Sequence, residues 1–148
     1  MKSLFSSLAL LIVLVGRALP AGAEMPMTEL GAGMYRIQVE VAATQTDRML
    51  GLMNRPAMPP QHGMLFAFPV DAVHCMWMKN TLIPLSVAFL DQDGRILNIA
   101  DMQPQSEQSH CAARPARYAL EMNQGWFAAK GLAAGARIRG LERLPAGR

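Results

Sequence analysis

From Tyr35 to Val41 apolar and polar residues alternate: Tyr35, Ile37, Val39 and Val41 against Arg36, Gln38 and Glu40. A period of two buries one side of a segment only when the chain is extended, so this stretch is a half-buried β-strand. The texture recurs along the chain. Met64–Phe68 and Leu85–Leu90 are short, strongly apolar runs, and Arg117–Met122 alternates again. Asp91-Gln92-Asp93-Gly94 is a turn signal, with Arg95–Ala100 as its return strand, and Arg137–Leu141 forms a last strand after Gly135. His74–Lys79 reads as a further extended piece. Many short strands broken by glycine and proline predict a mainly β fold, a single β-sandwich-like or partly closed barrel domain with one or two short helices.

The helical signals are brief. Thr44 can cap a helix over Thr44–Asn54, with Asp47 as the capping-box partner and Met49, Leu52 and Met53 as its apolar face. Pro56 ends it. Arg48 and Arg55 lie on nearly the same side if the helix persists that far. Gln124–Lys130 can form one or two turns, stopped by Gly131. Residues 24–33 have no clear period and read as a flexible lead-in, followed by a single domain over 34–148. Met102–Pro115 is the longest expected loop.

Residues 1–23 read as a secretory signal. Lys2 precedes an apolar run, Leu4–Val15, that is too short to span a bilayer comfortably, and Ala21-Gly22-Ala23 is a small-x-small cleavage site. Signal removal leaves no second membrane segment, and the expected location is periplasmic or secreted. The formal charge of +3 falls to +1 without Lys2 and Arg17, so there is no electrostatic case for nucleic acid. Two cysteines, Cys75 and Cys111, in an oxidising compartment favour one disulfide; a thiol ligand or nucleophile is the alternative.

Four stretches carry a family resemblance: "DRMLGLMNRPAMPPQHGMLFAF", "MWMKNTLIPLSVAFLDQDGRI", "RYALEMNQGWFAAKGLAAG" and the polar loop between the last two. Arg48-x-x-Gly51-Leu52-Met53-x-Arg55, combined with Met76-Trp77-Met78-Lys79-Asn80-Thr81, is similar to the secreted prokaryotic family called domain of unknown function 192. The resemblance runs from about Tyr35 to Leu141. It implies a compact β-sandwich-like domain, usually exported, and it supplies no activity. Ser86 and Ala136 stand where relatives often carry aspartate, so roles resting on those carboxylates do not transfer.

"HCMWMKNT", His74–Thr81, concentrates the chemistry. Read as a buried strand running into a polar turn, it puts Met76, Trp77 and Met78 in the core and leaves Lys79, Asn80 and Thr81 for function. Three readings follow. A non-catalytic ligand-binding or envelope accessory protein would use a polar patch of Arg48, Arg55, Lys79, Asn80, Thr81 and Glu121, an arginine fork holding a small anionic or sugar-like ligand, or an envelope protein. A Cu(I) protein would use His74, Met76 and Met78, which share a strand face. A small hydrolase-like enzyme would use Glu121 with Lys79, although no Ser-His-Asp order, zinc spacing or paired-carboxylate signature is present. The first reading is preferred, with no cofactor; methionine is a common core filler and needs no copper.

Overall fold

The computed structural model describes residues 24–148, so the expected signal segment, 1–23, lies outside the described residues. The chain forms β1 (Met27–Ala32), β2 (Tyr35–Ala42), α1 (Gln45–Leu50), β3 (His62–Ala72), β4 (Cys75–Met76), β5 (Leu85–Leu90), β6 (Ile96–Met102), β7 (His110–Cys111), β8 (Ala116–Asn123), α2 (Trp126–Ala129) and β9 (Ile138–Arg139). Seven strands make one sheet in the order β6-β5-β8-β3-β2-β1-β9, and β4 pairs with β7 in a second, two-stranded sheet. Among the described residues only β2 and β3 pair in parallel, and they need the crossover that contains α1.

The large sheet curls until its ends approach each other. Arg95, just before β6, bridges to Arg137, just before β9, and the Ile96 amide donates to the Ala136 carbonyl at 2.8 Å. This is the expected mainly β domain, realised as a partly closed barrel with two short helices. Among the described residues no helix is long and apolar enough to cross a membrane.

Both faces of the sheet are covered. Inside the curl, Leu30, Ile37, Val39, Leu65 and Leu120 pack together, and Trp126 and Phe127 of α2 plug the opening. On the outer face, Met64, Phe66, Val87 and Phe89 lie under Leu52, Met78 and Ile83 from the connecting segments. Two covering layers explain why all six residues of β5 are buried and why its sequence does not alternate. Burial of a side chain such as Phe89 or Leu65 stabilises the fold by roughly 2–3 kcal/mol. Where β3 pairs with β8 the approach is close enough to require Gly63. A Cβ there would collide with the Met122 sulfur and the Glu121 carbonyl oxygen.

Three expectations need correction. Met27–Ala32, inside the expected flexible lead-in, is a full edge-side strand paired with β2 along its length. Its buried positions, Leu30 and Ala32, are separated by Gly31, so alternation is weak in the sequence. The extended piece expected over His74–Lys79 shrinks to the two residues of β4. Met78 then donates its amide to the Ser106 carbonyl, Thr81 bonds back to Met78, and Asn80 takes a positive φ of 54°. Trp77, expected in the core, is 49% exposed on the same side as exposed Cys75, whereas Met78 is fully buried.

Candidate functional site

α1 begins where the capping box predicts. The Thr44 hydroxyl accepts from the Asp47 amide at 3.1 Å, and the Asp47 carboxylate accepts in return from the Thr44 amide. The helix stops at Gly51, whose φ is 49°. None of its six residues is buried, and Met49 and Leu50 stand well exposed. The expected inward face is therefore carried only by Leu52, just past the helix. What holds so short a helix down is Arg48. Its guanidinium donates to the carbonyls of Ala43 (2.7 Å) and Ala67 (2.8 Å) and to a main-chain oxygen of Arg148 (3.0 Å), joining the helix to β3 and to Arg148.

A cleft of about 620 Å³ opens between α1 and β4, within the range of small-ligand sites. Phe66 and Phe68 of β3 form its buried floor. Met49 and Met53 line the α1 side, and Met76 and Trp77 line the β4 side. Gln45, Arg48, Lys79 and Asn80 add polar groups. The Lys79 ammonium sits 5.3 Å from the Trp77 ring centroid and 3.4 Å from the exposed Glu107 carboxylate. The cleft is mostly apolar, with a cationic rim.

The Cys75–Cys111 disulfide forms as expected and joins directly paired residues of β4 and β7. It fixes the β4 wall to the long polar loop, and Cys75 itself lines the cleft.

The six residues expected to form one polar patch divide into two groups. Arg48, Lys79 and Asn80 line the cleft; Arg55, Thr81 and Glu121 are absent from its lining. Arg55 is held by Glu40 through two guanidinium–carboxylate hydrogen bonds. Thr81 is buried and donates its hydroxyl to the Lys79 carbonyl. Glu121 is 3% exposed. It lies between Met64 of β3 and Val87 of β5, both fully buried, and this desolvation pushes its pKa up to about 8. Glu40 and Glu121 flank Met64 in one row of the sheet, two strand spacings apart (about 10 Å), and the arginine reaches Glu40 alone.

The enzyme pairing of Glu121 with Lys79 is therefore split: Lys79 is on the cleft rim and Glu121 is enclosed in the outer core. The proposed copper ligands also take separate places. The His74 ring stacks on Phe68 with centroids 3.7 Å apart, and its Nε2 lies 2.9 Å from the Val70 carbonyl oxygen. Met76 faces the cleft, and Met78 is buried in the outer core. Among the described residues no group of three or more His, Cys, Asp and Glu side chains is placed to hold a metal. The residues missed by sequence reasoning are the apolar ones, Met49, Met53, Phe66, Phe68 and Trp77. An amphipathic helix with two adjacent apolar residues, Met49-Leu50, was the available signal for a surface left open.

The family model described as DUF192, "Uncharacterized ACR, COG1430", matches residues 27–140. A solved structure of a candidate transcription regulator from Sinorhizobium meliloti 1021 is 34% identical, with a TM-score of 0.77, over 81% of this chain and 98% of that one. A protein of unknown function from Novosphingobium aromaticivorans DSM 12444 is 30% identical, with a TM-score of 0.74, over 78% of this chain and 86% of that one. No curated protein matches the chain.

Proposed function

Because this chain belongs to the DUF192 family, whose description carries no activity, we propose from its own site that it is a non-catalytic, exported binding protein whose cleft takes an apolar ligand bearing an acidic group. The observation that carries this reading is the composition of the cleft: two aromatic rings beneath, methionines and a half-exposed tryptophan at the sides, and cations at the rim. Thioether side chains adapt to varied apolar shapes, which suits a binding surface more than a fixed reaction geometry. Isolated exposed hydrophobics need no explanation, but Met49 and Trp77 share one concavity and mark an interaction site. The regulator description of the Sinorhizobium relative adds little for this chain. Its described helices have six and four residues, too short for major-groove reading, and the charge of +1 after signal removal offers no basic footprint.

The test uses anilinonaphthalene sulfonate, an anionic apolar dye, on the protein with Trp126→Phe so that Trp77 is the sole indole. Saturable dye binding with a change in Trp77 emission is expected, with at least a ten-fold loss in Met53→Glu, which puts a like charge on the apolar wall, and a smaller loss in Lys79→Gln. Binding unchanged in both variants would place the dye elsewhere and remove the reading.

A further inference from the structure

We propose that the ligand of this cleft is an extended, apolar stretch of polypeptide with an acidic residue, which adds to the free edge of β4 as a further strand. The inference rests on the binding reading above and names its ligand class.

The argument starts from main-chain hydrogen bonds. Among the described residues β4 has one strand partner, β7. The Ala112 amide donates to the His74 carbonyl at 2.9 Å, which makes the Cys75–Cys111 pair a non-hydrogen-bonded one in the antiparallel ladder. The 4.0 Å separation of their Cα atoms fits the narrow spacing of such pairs. In this arrangement the amide and carbonyl of Cys75 point away from β7. Two residues beyond Met76, the Met78 amide turns back to the Ser106 carbonyl, on the side of the long loop. The alternation thus carries through Trp77, whose main-chain groups also point outward. Neither the Cys75 nor the Trp77 amide donates to a backbone carbonyl of another connecting segment among the described residues.

The cleft lies along that edge. Cys75 and Met76 project to opposite faces of their strand, as do Met76 and Trp77, yet all three line the cleft, and neither residue of β7 does. A cavity touched by both faces of a strand, but not by its partner, runs along the open side. Unpaired main-chain donors and acceptors beside an apolar floor decide between occupants. A lipid tail laid there would desolvate those groups without pairing them. An extended peptide pairs them and sends alternate side chains toward Phe66, Phe68 and Met53, the strand-addition mode of recognition. Charge selects further. Arg48 lines the cleft while donating to the carbonyls of Ala43 and Ala67 and to a main-chain oxygen of Arg148, and the Lys79 ammonium stands on the same rim, so the two cations together favour an acidic residue in the occupant.

The probe is a pool of synthetic peptides of about eight residues, alternating Val, Ile or Leu with Asp, Thr or Ser, a length that spans the edge with margin. Displacement of the dye by members of the pool is expected. In hydrogen exchange, the Cys75 and Trp77 amides become protected when the best peptide binds, while Met76 does not change. N-methylation of that peptide at alternate residues weakens binding about ten-fold in one parity and less than two-fold in the other, because only one set of amides faces the edge. Dye binding without displacement by any peptide, or equal tolerance of N-methylation in both parities, would overturn the inference and leave the binding reading standing. Failure of both dye and peptides to bind would remove both.

Discussion

Arg55 grips Glu40 through two guanidinium–carboxylate hydrogen bonds, so a turn that follows α1 is tied to a strand that precedes it. The pair sits at the protein surface, with side-chain exposures of 33% and 22%, and solvent screens part of its attraction. Bidentate geometry still sets it above an ordinary surface pair. Arg55→Ala and Glu40→Ala should each destabilise the fold. Combined in a double-mutant cycle followed by urea unfolding, they should give a coupling energy of about 1 kcal/mol. A coupling indistinguishable from zero would mean that screening removes the benefit of the geometry, and that Arg55 is available to a ligand after all.

The disulfide joins cysteines 36 positions apart and pins the β4 wall. On the chain-entropy account its loss costs about 3–4 kcal/mol. The double variant Cys75→Ala/Cys111→Ala should therefore unfold at clearly lower urea concentration, and the unfolded, unreduced wild-type protein should show no free thiols to a labelling reagent. Because β4 has only two residues, the variant should also lose most dye binding before the large sheet unfolds. Unchanged dye affinity in the folded variant would show that Trp77 and Met76 hold their places without the bridge.

The sequence revealed the fold where the two sides of a strand differ. β2 alternates because one side faces the curl and the other is only partly covered, and its pattern is plain in Tyr35–Val41. β5 is apolar throughout because both faces are covered, and its run was equally plain. β1 escaped notice because Gly31 interrupts a short pattern, and its strand character comes from pairing with β2. The site was harder to read for a related reason. Polar side chains in an apolar motif suggested one convergent patch, yet a sequence does not tell whether an arginine meets a ligand, a carbonyl or a neighbouring carboxylate. Arg48 and Arg55 are seven residues apart and would share a helix face, but α1 ends at Leu50, so their destinations diverge. Trp77 looked like core because it sits between two methionines. It emerges at the surface because it shares the outward side of the extended stretch with exposed Cys75, opposite Met76 and buried Met78.

Arg48 donates to three main-chain oxygens at once, two of which are carbonyls of the buried residues Ala43 and Ala67. A lysine keeps the charge but cannot present the planar fork that reaches several acceptors together. Arg48→Lys should lower stability by about 1–2 kcal/mol, and Arg48→Ala by about 2–3 kcal/mol, since acceptors left unpaired in the interior carry their own penalty. Thermal unfolding of both variants measures this. If Arg48→Lys were as stable as wild type while losing acidic ligands, the residue's main task would be binding and the anchoring of α1 would lie elsewhere.

Glu121 gives the protein a predictable response to pH. Enclosed between Met64 and Val87, its carboxyl has a pKa pushed up to about 8 by burial, against 4.5 for the same group in the open chain. Below pH 4.5 the group is protonated in both folded and unfolded states and has no effect on the balance. Between 4.5 and about 8 the folded state retains a proton that the unfolded state has released, so raising the pH favours unfolding. The slope approaches roughly 1 kcal/mol per pH unit within that window and disappears above it, where both states are ionised. Glu121→Gln removes the titration while retaining much of the shape and a polar end. Its stability should therefore be nearly level from pH 5 to 8, so that its advantage over wild type grows as the pH rises. Urea unfolding of both proteins across that range gives the comparison directly. Parallel curves would mean that the Glu121 carboxylate is compensated in the folded protein, by water or by movement of a cation toward it. They would also return it to consideration as a functional group.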